Sequence, residues 1–123
     1  MDQYTVMVVE DEPLIGMELQ ETLERLGYRV PSVIDSADNL LTAFNREKPD
    51  LILMDIRLRS YLDGIDVAHR LRLISDVPMI YLSAYTNEET IARAEKTGPV
   101  AVLAKPVDES VLAEHVGRAL RGR

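Results

Sequence analysis

The sequence predicts a doubly wound α/β domain, a (βα)5 sandwich built on a five-stranded parallel sheet of order 2-1-3-4-5. Three observations predict it. Short apolar runs without helical stagger, at residues 5–9 and 51–54, have the composition of strands buried on both faces, as parallel sheets require. Such runs alternate with helical patterns through connections mostly too long for hairpins, which implies right-handed crossovers with helices on both faces. Pro31 cannot donate to a ladder on both sides, so the second strand belongs at an edge, and the first and third strands flank the topological switch point.

Residues 5–9 form the first strand and end in the acidic turn Glu10, Asp11, Glu12. Pro13 suits the first turn of a helix in which Ile15, Leu19, Leu23 and Leu26 recur at helical spacing until Gly27 supplies the C-cap. Residues 28–34 read as an edge or bulged strand around Pro31. Asp35 or Ser36 caps the second helix, which turns Ala37, Leu40, Leu41 and Phe44 inward and stops before Pro49. The third strand follows and delivers Asp55 at its carboxyl end, where the alternative is a simple helix-cap or turn aspartate. A polar loop with Arg57, Arg59, Ser60 and Tyr61 closes on Asp63 and Gly64, and Ile65, Ala68 and Leu71 mark the third helix, with His69 off its apolar stripe.

Residues 78–82 are the fourth strand and lead into Ser83 and Ala84. Thr86, Asn87, Glu88 and Glu89 have the spacing of a capping box, opening a fourth helix that Gly98 and Pro99 terminate. Its apolar face is Ile91 with Ala92 and Ala94, which makes it the least firmly packed helix. Residues 100–104 are the fifth strand and end on Lys105 and Pro106. Asp108 caps a last helix carrying Val111, Leu112, Val116 and Leu120, with His115 read as structural or exposed.

Composition sets the bounds. A chain of 123 residues with 46% hydrophobic and 28% charged residues is expected to form one domain over 1–123. The absence of cysteine excludes disulfides, thiolate metal sites and cysteine nucleophiles. No apolar run approaches the roughly 20 residues that span a bilayer, and the amino end lacks a signal pattern, so a cytoplasmic protein without a membrane partner is expected. The net charge of −7, with Lys and Arg dispersed, argues against direct binding of nucleic acid.

The predicted sheet brings Glu10, Asp11, Asp55, Ser83 and Lys105 to one edge, the edge where open α/β sheets bind ligands. Carboxylates converging there repel at a cost on the order of several kcal/mol if all stay ionised, so they call for a cation. Oxygen-only ligands suit Mg2+, which keeps waters and recruits phosphate oxygens. Lys105 offers a mobile charge and Ser83 a hydroxyl, both suited to a phosphoryl group. The competing reading makes the acids helix caps and Lys105 their ion-pair partner; the coincidence at four strand ends weighs against it.

With these residues lined up, the chain resembles the receiver domain of two-component response regulators, a CheY-like, flavodoxin-like fold, along essentially its whole length. The resemblance is carried by Val8-Val9-Glu10-Asp11-Glu12, Leu53-Met54-Asp55, Asp63-Gly64-Ile65, Ser83-Ala84 and Lys105-Pro106. It implies that Asp55 accepts a phosphoryl group from a phosphohistidine of a sensor histidine kinase or histidine phosphotransfer protein. It implies further that Glu10, Asp11, Asp55 and the backbone carbonyl of Arg57 hold Mg2+. Ser83 and the Ala84 amide would bind the phosphoryl oxygens, Lys105 would pair with them, and the Lys105-Pro106 peptide would be cis. Such a chain is a signalling phosphoacceptor rather than an enzyme, and is either a stand-alone receiver or part of a longer regulator or hybrid kinase. A homodimer of this family would use the face of the fourth helix, fifth strand and fifth helix.

Three positions depart from the family pattern. Val102 stands where most receivers carry an aromatic switch residue, so the usual inward rotation of a ring cannot occur. The loop from Asp55 to Gly64 is one residue longer than the commonest spacing, which lets Tyr61 cover the site or a partner surface. Arg57 and Tyr85, each two residues beyond a site residue, are bulky and are expected to shield the acyl phosphate from water. Other function classes fit less well. A Mg2+-dependent phosphatase with an aspartyl nucleophile would carry a second aspartate where Arg57 stands, and a flavin carrier would need a Ser, Thr and Gly loop in place of Glu10-Asp11-Glu12. A phosphorylation-independent scaffold stays open through Val102.

Overall fold

The sheet has the order β2-β1-β3-β4-β5, all parallel, with β1 (Val6–Val9), β2 (Val33–Ile34), β3 (Leu51–Asp55), β4 (Met79–Ser83) and β5 (Ala101–Ala104). The structure is a computed structural model that describes residues 3–58, 62–84 and 87–121; Arg59, Ser60, Tyr61, Tyr85, Thr86 and Arg123 lie outside them. The helices are α1 (Pro13–Arg25), α2 (Ala37–Glu47), α3 (Gly64–Leu71), α4 (Glu88–Glu95) and α5 (Glu109–Leu120). Register aligns Val9 with Met54, Asp55 with Leu82 and Ser83 with Ala104, so the strand ends share one edge.

Strand alternation divides the core into two layers. Met7, Val9, Ile52, Met54, Met79 and Tyr81 face one side, where Leu40, Ile65, Ala68 and Leu71 of α2 and α3 meet them. Val6, Val8, Leu51, Leu53, Ile80 and Leu82 face the other, against Leu19 and Leu23 of α1 and Leu112, Val116 and Leu120 of α5. Each fully buried aliphatic side chain stabilises the fold by about 1.5–3 kcal/mol, and continuity of these contacts on both faces of β1 and β3 fixes the central strands.

The second strand is shorter than the predicted 28–34. Arg29 forms an isolated bridge with Thr5, the ladder resumes only at Val33, and Pro31, which lacks a donor, sits in the gap. On α2 the inward stripe is Ala37, Leu40 and Ala43, with Phe44 partly buried against the same core as expected and Leu41 exposed; Leu26 and Val111 are exposed as well. The N-cap of α4 is Asn87, whose side chain accepts from Thr90 N at 2.8 Å, one residue beyond the expected Thr86. Only Ala94 of α4 is buried, and Ala92 is exposed. β5, at the far edge, is half-buried rather than enclosed. Asp108 occupies the N-cap of α5 but takes the Ser110 hydroxyl instead of a helix amide. His69 is exposed, as expected, and His115 half-buried. Among the described residues no helix is long and apolar enough to cross a membrane.

Candidate functional site

The end of β1 and the start of α1 place the first acids. Glu10 N donates to Ile34 O of the edge strand at 2.8 Å, which holds the backbone at the sheet rim while the Glu10 side chain turns inward. Glu12 N donates to Glu10 Oε2 at 3.2 Å. Asp55 is the last residue of β3; Arg57 N donates to its Oδ1 at 3.2 Å, and Ile56 N to Leu82 O at 3.1 Å. Lys105 N donates to Ser83 O at 2.9 Å, so β4 pairing carries the lysine to the same rim, followed by the cis Lys105-Pro106 peptide.

Lys105 Nζ closes the group, 2.7 Å from Glu10 Oε1 and 3.1 Å from Asp55 Oδ2. Carboxylate oxygens of Glu10, Asp11 and Asp55 lie within 4.8 Å of one another. Glu10, Asp55 and Ser83 are only 1%, 5% and 1% exposed, whereas Ala84 and Arg57 face solvent. Burial pushes the Glu10 carboxyl above its ordinary range, against the opposing pull of Lys105, and the neighbouring Asp55 adds to the rise. Lys105 is held above its ordinary value: burial lowers it, but the bond to Glu10 and the charge of Asp55 together win. One lysine thus serves two buried acids, with a third beside them. An all-oxygen donor set of this kind fits a hard divalent cation.

Asp11, Asp55, Arg57, Ala84 and Lys105 line the head of a cleft of about 650 Å3 that runs between α1 and α5. Its floor is apolar, with Ile15, Leu19, Val107 and Leu112. The structure therefore brings together Glu10, Asp11, Asp55, Arg57, Ala84 and Lys105, with Ser83 at the adjoining end of β4, whereas Tyr61 and Tyr85, expected to cover the site, lie outside the described residues. The cleft itself was not legible in the sequence, because its width depends on how far α1 and α5 stand apart. Gly64 belongs to the site for a steric reason: a Cβ there would lie 2.3 Å from Asp55 O and 2.9 Å from Met54 Cγ. The Asp63-Asp66 reciprocal cap that starts α3 was also missed, since a capping box is sought as Ser or Thr followed by Glu or Gln.

The sequence profile of the response regulator receiver domain matches residues 6–117. Among curated proteins, the phyllosphere-induced regulator PhyR of Methylorubrum extorquens is 32% identical over 116 residues, covering 94% of this chain and 43% of PhyR. The transcriptional regulatory protein PdtaR of Mycobacterium tuberculosis is 33% identical over 107 residues, covering 87% of this chain and 52% of PdtaR. The chain thus spans about half the length of these relatives. Among solved structures, the signal receiver domain of a modulated diguanylate cyclase from Desulfovibrio desulfuricans G20 superposes with a TM-score of 0.90 at 34% identity, covering 98% of this chain and 96% of that one.

Proposed function

Since the chain belongs to the response regulator receiver domain family, we propose that Asp55 is its phosphoacceptor, charged by a phosphohistidine of a sensor histidine kinase or histidine phosphotransfer protein. The observation that carries this reading is the buried Asp55 carboxylate at the head of an open cleft, with Lys105 Nζ at 3.1 Å and two further acids beside it.

In the proposed reaction an Asp55 oxygen forms a bond to phosphorus as the phosphorus–nitrogen bond of the donor breaks, and the electron pair leaves with the imidazole, which takes up a proton. Displacement is in line, through a loose transition state. Glu10, Asp11 and Asp55, with the main-chain carbonyl of Arg57, would hold Mg2+, which when bound supplies positive charge to the phosphoryl oxygens. Lys105, already bonded to Asp55, needs only a small side-chain shift to pair with the transferred group. The Ser83 hydroxyl and the Ala84 amide, at the end of the adjoining strand, supply donors for the remaining oxygens. The acyl phosphate carries roughly −1.5 to −2 charge, enough to draw Ser83 and Lys105 and bias the segment leading to α4. Output, including any homodimer, leaves by the α4-β5-α5 face, where Val102 packs beside its cross-strand neighbour Tyr81.

The test is intact-protein mass spectrometry after incubation with Mg2+ and acetyl phosphate. A labile phosphate adduct on the wild type, absent from Asp55→Asn and abolished by chelator, is the expected result. A folded wild type that takes up no phosphate would refute the reading and favour recognition of the unmodified surface.

A further inference from the structure

Helix α4 is held to the domain more by polar contacts than by apolar burial. Ala94 is its one buried residue, so little hydrophobic area fixes the helix in place. Its carboxyl end is tied at Thr97. The Tyr81 hydroxyl, enclosed on β4, lies 2.6 Å from Thr97 Oγ1, and Thr97 Oγ1 itself donates to Ala94 O at 2.7 Å, so the phenol is the donor of the first bond. Arg72, at the C-cap of α3, donates to Thr97 O at 2.8 Å and to Val77 O at 2.6 Å. Three elements meet at Thr97 through these bonds, which anchor that end of α4.

The other tie is Arg93. Asp63 Oδ1 accepts from Asp66 N at 2.9 Å and Asp66 Oδ2 accepts from Asp63 N at 3.2 Å, so each carboxylate uses one oxygen to cap α3. Arg93 Nη2 reaches the other two, 3.3 Å from Asp63 Oδ2 and 3.5 Å from Asp66 Oδ1. Its charge offsets the repulsion between two neighbouring acids. The capped end of α3 rests on the acceptor segment: Gly64 N donates to Ile56 O at 2.8 Å, one residue beyond Asp55.

We propose that Arg93 is a latch that holds α4 against the cap of α3, with Thr97 as the pivot, and that its strength sets how readily the acceptor site changes state; this rests on the phosphoacceptor reading above. The latch is closed in the arrangement in which Lys105 pairs with the Asp55 carboxylate. A phosphoryl group that draws Ser83 pulls on the strand end leading into α4 and selects the unlatched arrangement. By linkage, weakening the latch strengthens binding of any group that selects the same arrangement. Arg93 and both acids are part-exposed, so the shift is modest, about two- to fivefold.

The experiment uses the full chain with Arg93→Ala and the conservative Arg93→Lys. In hydrogen exchange, Arg93→Ala is expected to speed the amides of residues 88–97 at least threefold (~) while β1 and β3 keep their rates, with Arg93→Lys intermediate. With Mg2+ present, Arg93→Ala is expected to bind beryllofluoride, a phosphoryl mimic, about two- to fivefold tighter than the wild type, and Asp66→Asn is expected to add nothing in that background. Unchanged exchange in α4, faster exchange throughout the domain, or beryllofluoride binding that is unchanged or weaker would each overturn the latch. A wild type that binds no beryllofluoride would overturn the phosphoacceptor reading and the regulatory role with it, while the exchange measurement still decides whether Arg93 holds α4.

Discussion

Lys105 is bonded more closely to Glu10 than to Asp55: its Nζ stands 2.7 Å from Glu10 Oε1 and 3.1 Å from Asp55 Oδ2. The lysine therefore occupies the charge position that a divalent cation would share. In Lys105→Met, Mg2+ affinity is expected to rise at least threefold (~), because a competing unit charge a few ångströms away is gone. Phosphorylation by acetyl phosphate is expected to slow about tenfold or more, because the transferred group loses a cation. Calorimetry of Mg2+ binding and adduct formation followed by mass spectrometry check the two halves, which move in opposite directions.

Arg57 is exposed on the cleft wall beside Asp55, while its amide is bonded to the acceptor. Like Asp55 it lines the cleft, and a side chain there is expected to limit the approach of water to an acyl phosphate. Arg57→Ala keeps the amide and removes the cover, so the phosphorylated protein is expected to lose its adduct about threefold faster or more, as measured by its decay after removal of the donor. An unchanged lifetime would place the shielding elsewhere.

Gly64 is required by space, not by backbone conformation. A methyl group at 2.3 Å from Asp55 O forces either α3 or the acceptor strand to move. Gly64→Ala is expected to cost about 1–3 kcal/mol, or more, in urea denaturation. Because the displaced atoms are the main chain of Asp55, the proposed acceptor, phosphate uptake is expected to fall even in the fraction that remains folded.

Tyr81 supplies a pH dependence. Burial pushes its phenol above the ordinary value of 10.0, and the charge of Arg72 offsets that only in part. With the folded value raised, its contribution to stability is fully present below pH 10 and is lost as pH rises through the folded value, since only the unfolded chain can ionise freely. Lys105, also raised, loses stability in the same direction above 10.5. Comparison of wild type with Tyr81→Phe separates the two: the variant is expected to be about 0.5–1.5 kcal/mol less stable at pH 7, and the gap is expected to close as pH passes 10 in denaturation measured across that range.

The architecture and the placement of the candidate site residues were legible in the chain itself. Uninterrupted apolar runs ending on Glu10, Asp55, Ser83 and Lys105, together with Pro31, were enough to order the sheet and bring those residues to one rim, because strand period and crossover handedness leave few alternatives. Tertiary structure alone decided the rest. That Lys105 serves Glu10 as well as Asp55 and that Arg93 grips the Asp63-Asp66 cap are contacts between segments far apart in sequence, and that Gly64 must lack a side chain to rest on Asp55 follows from how the start of α3 folds back on the end of β3. Local patterns report which face of an element is apolar; they carry no record of the distance between two helices or of which oxygen a distant guanidinium reaches, since those follow from packing of the whole core.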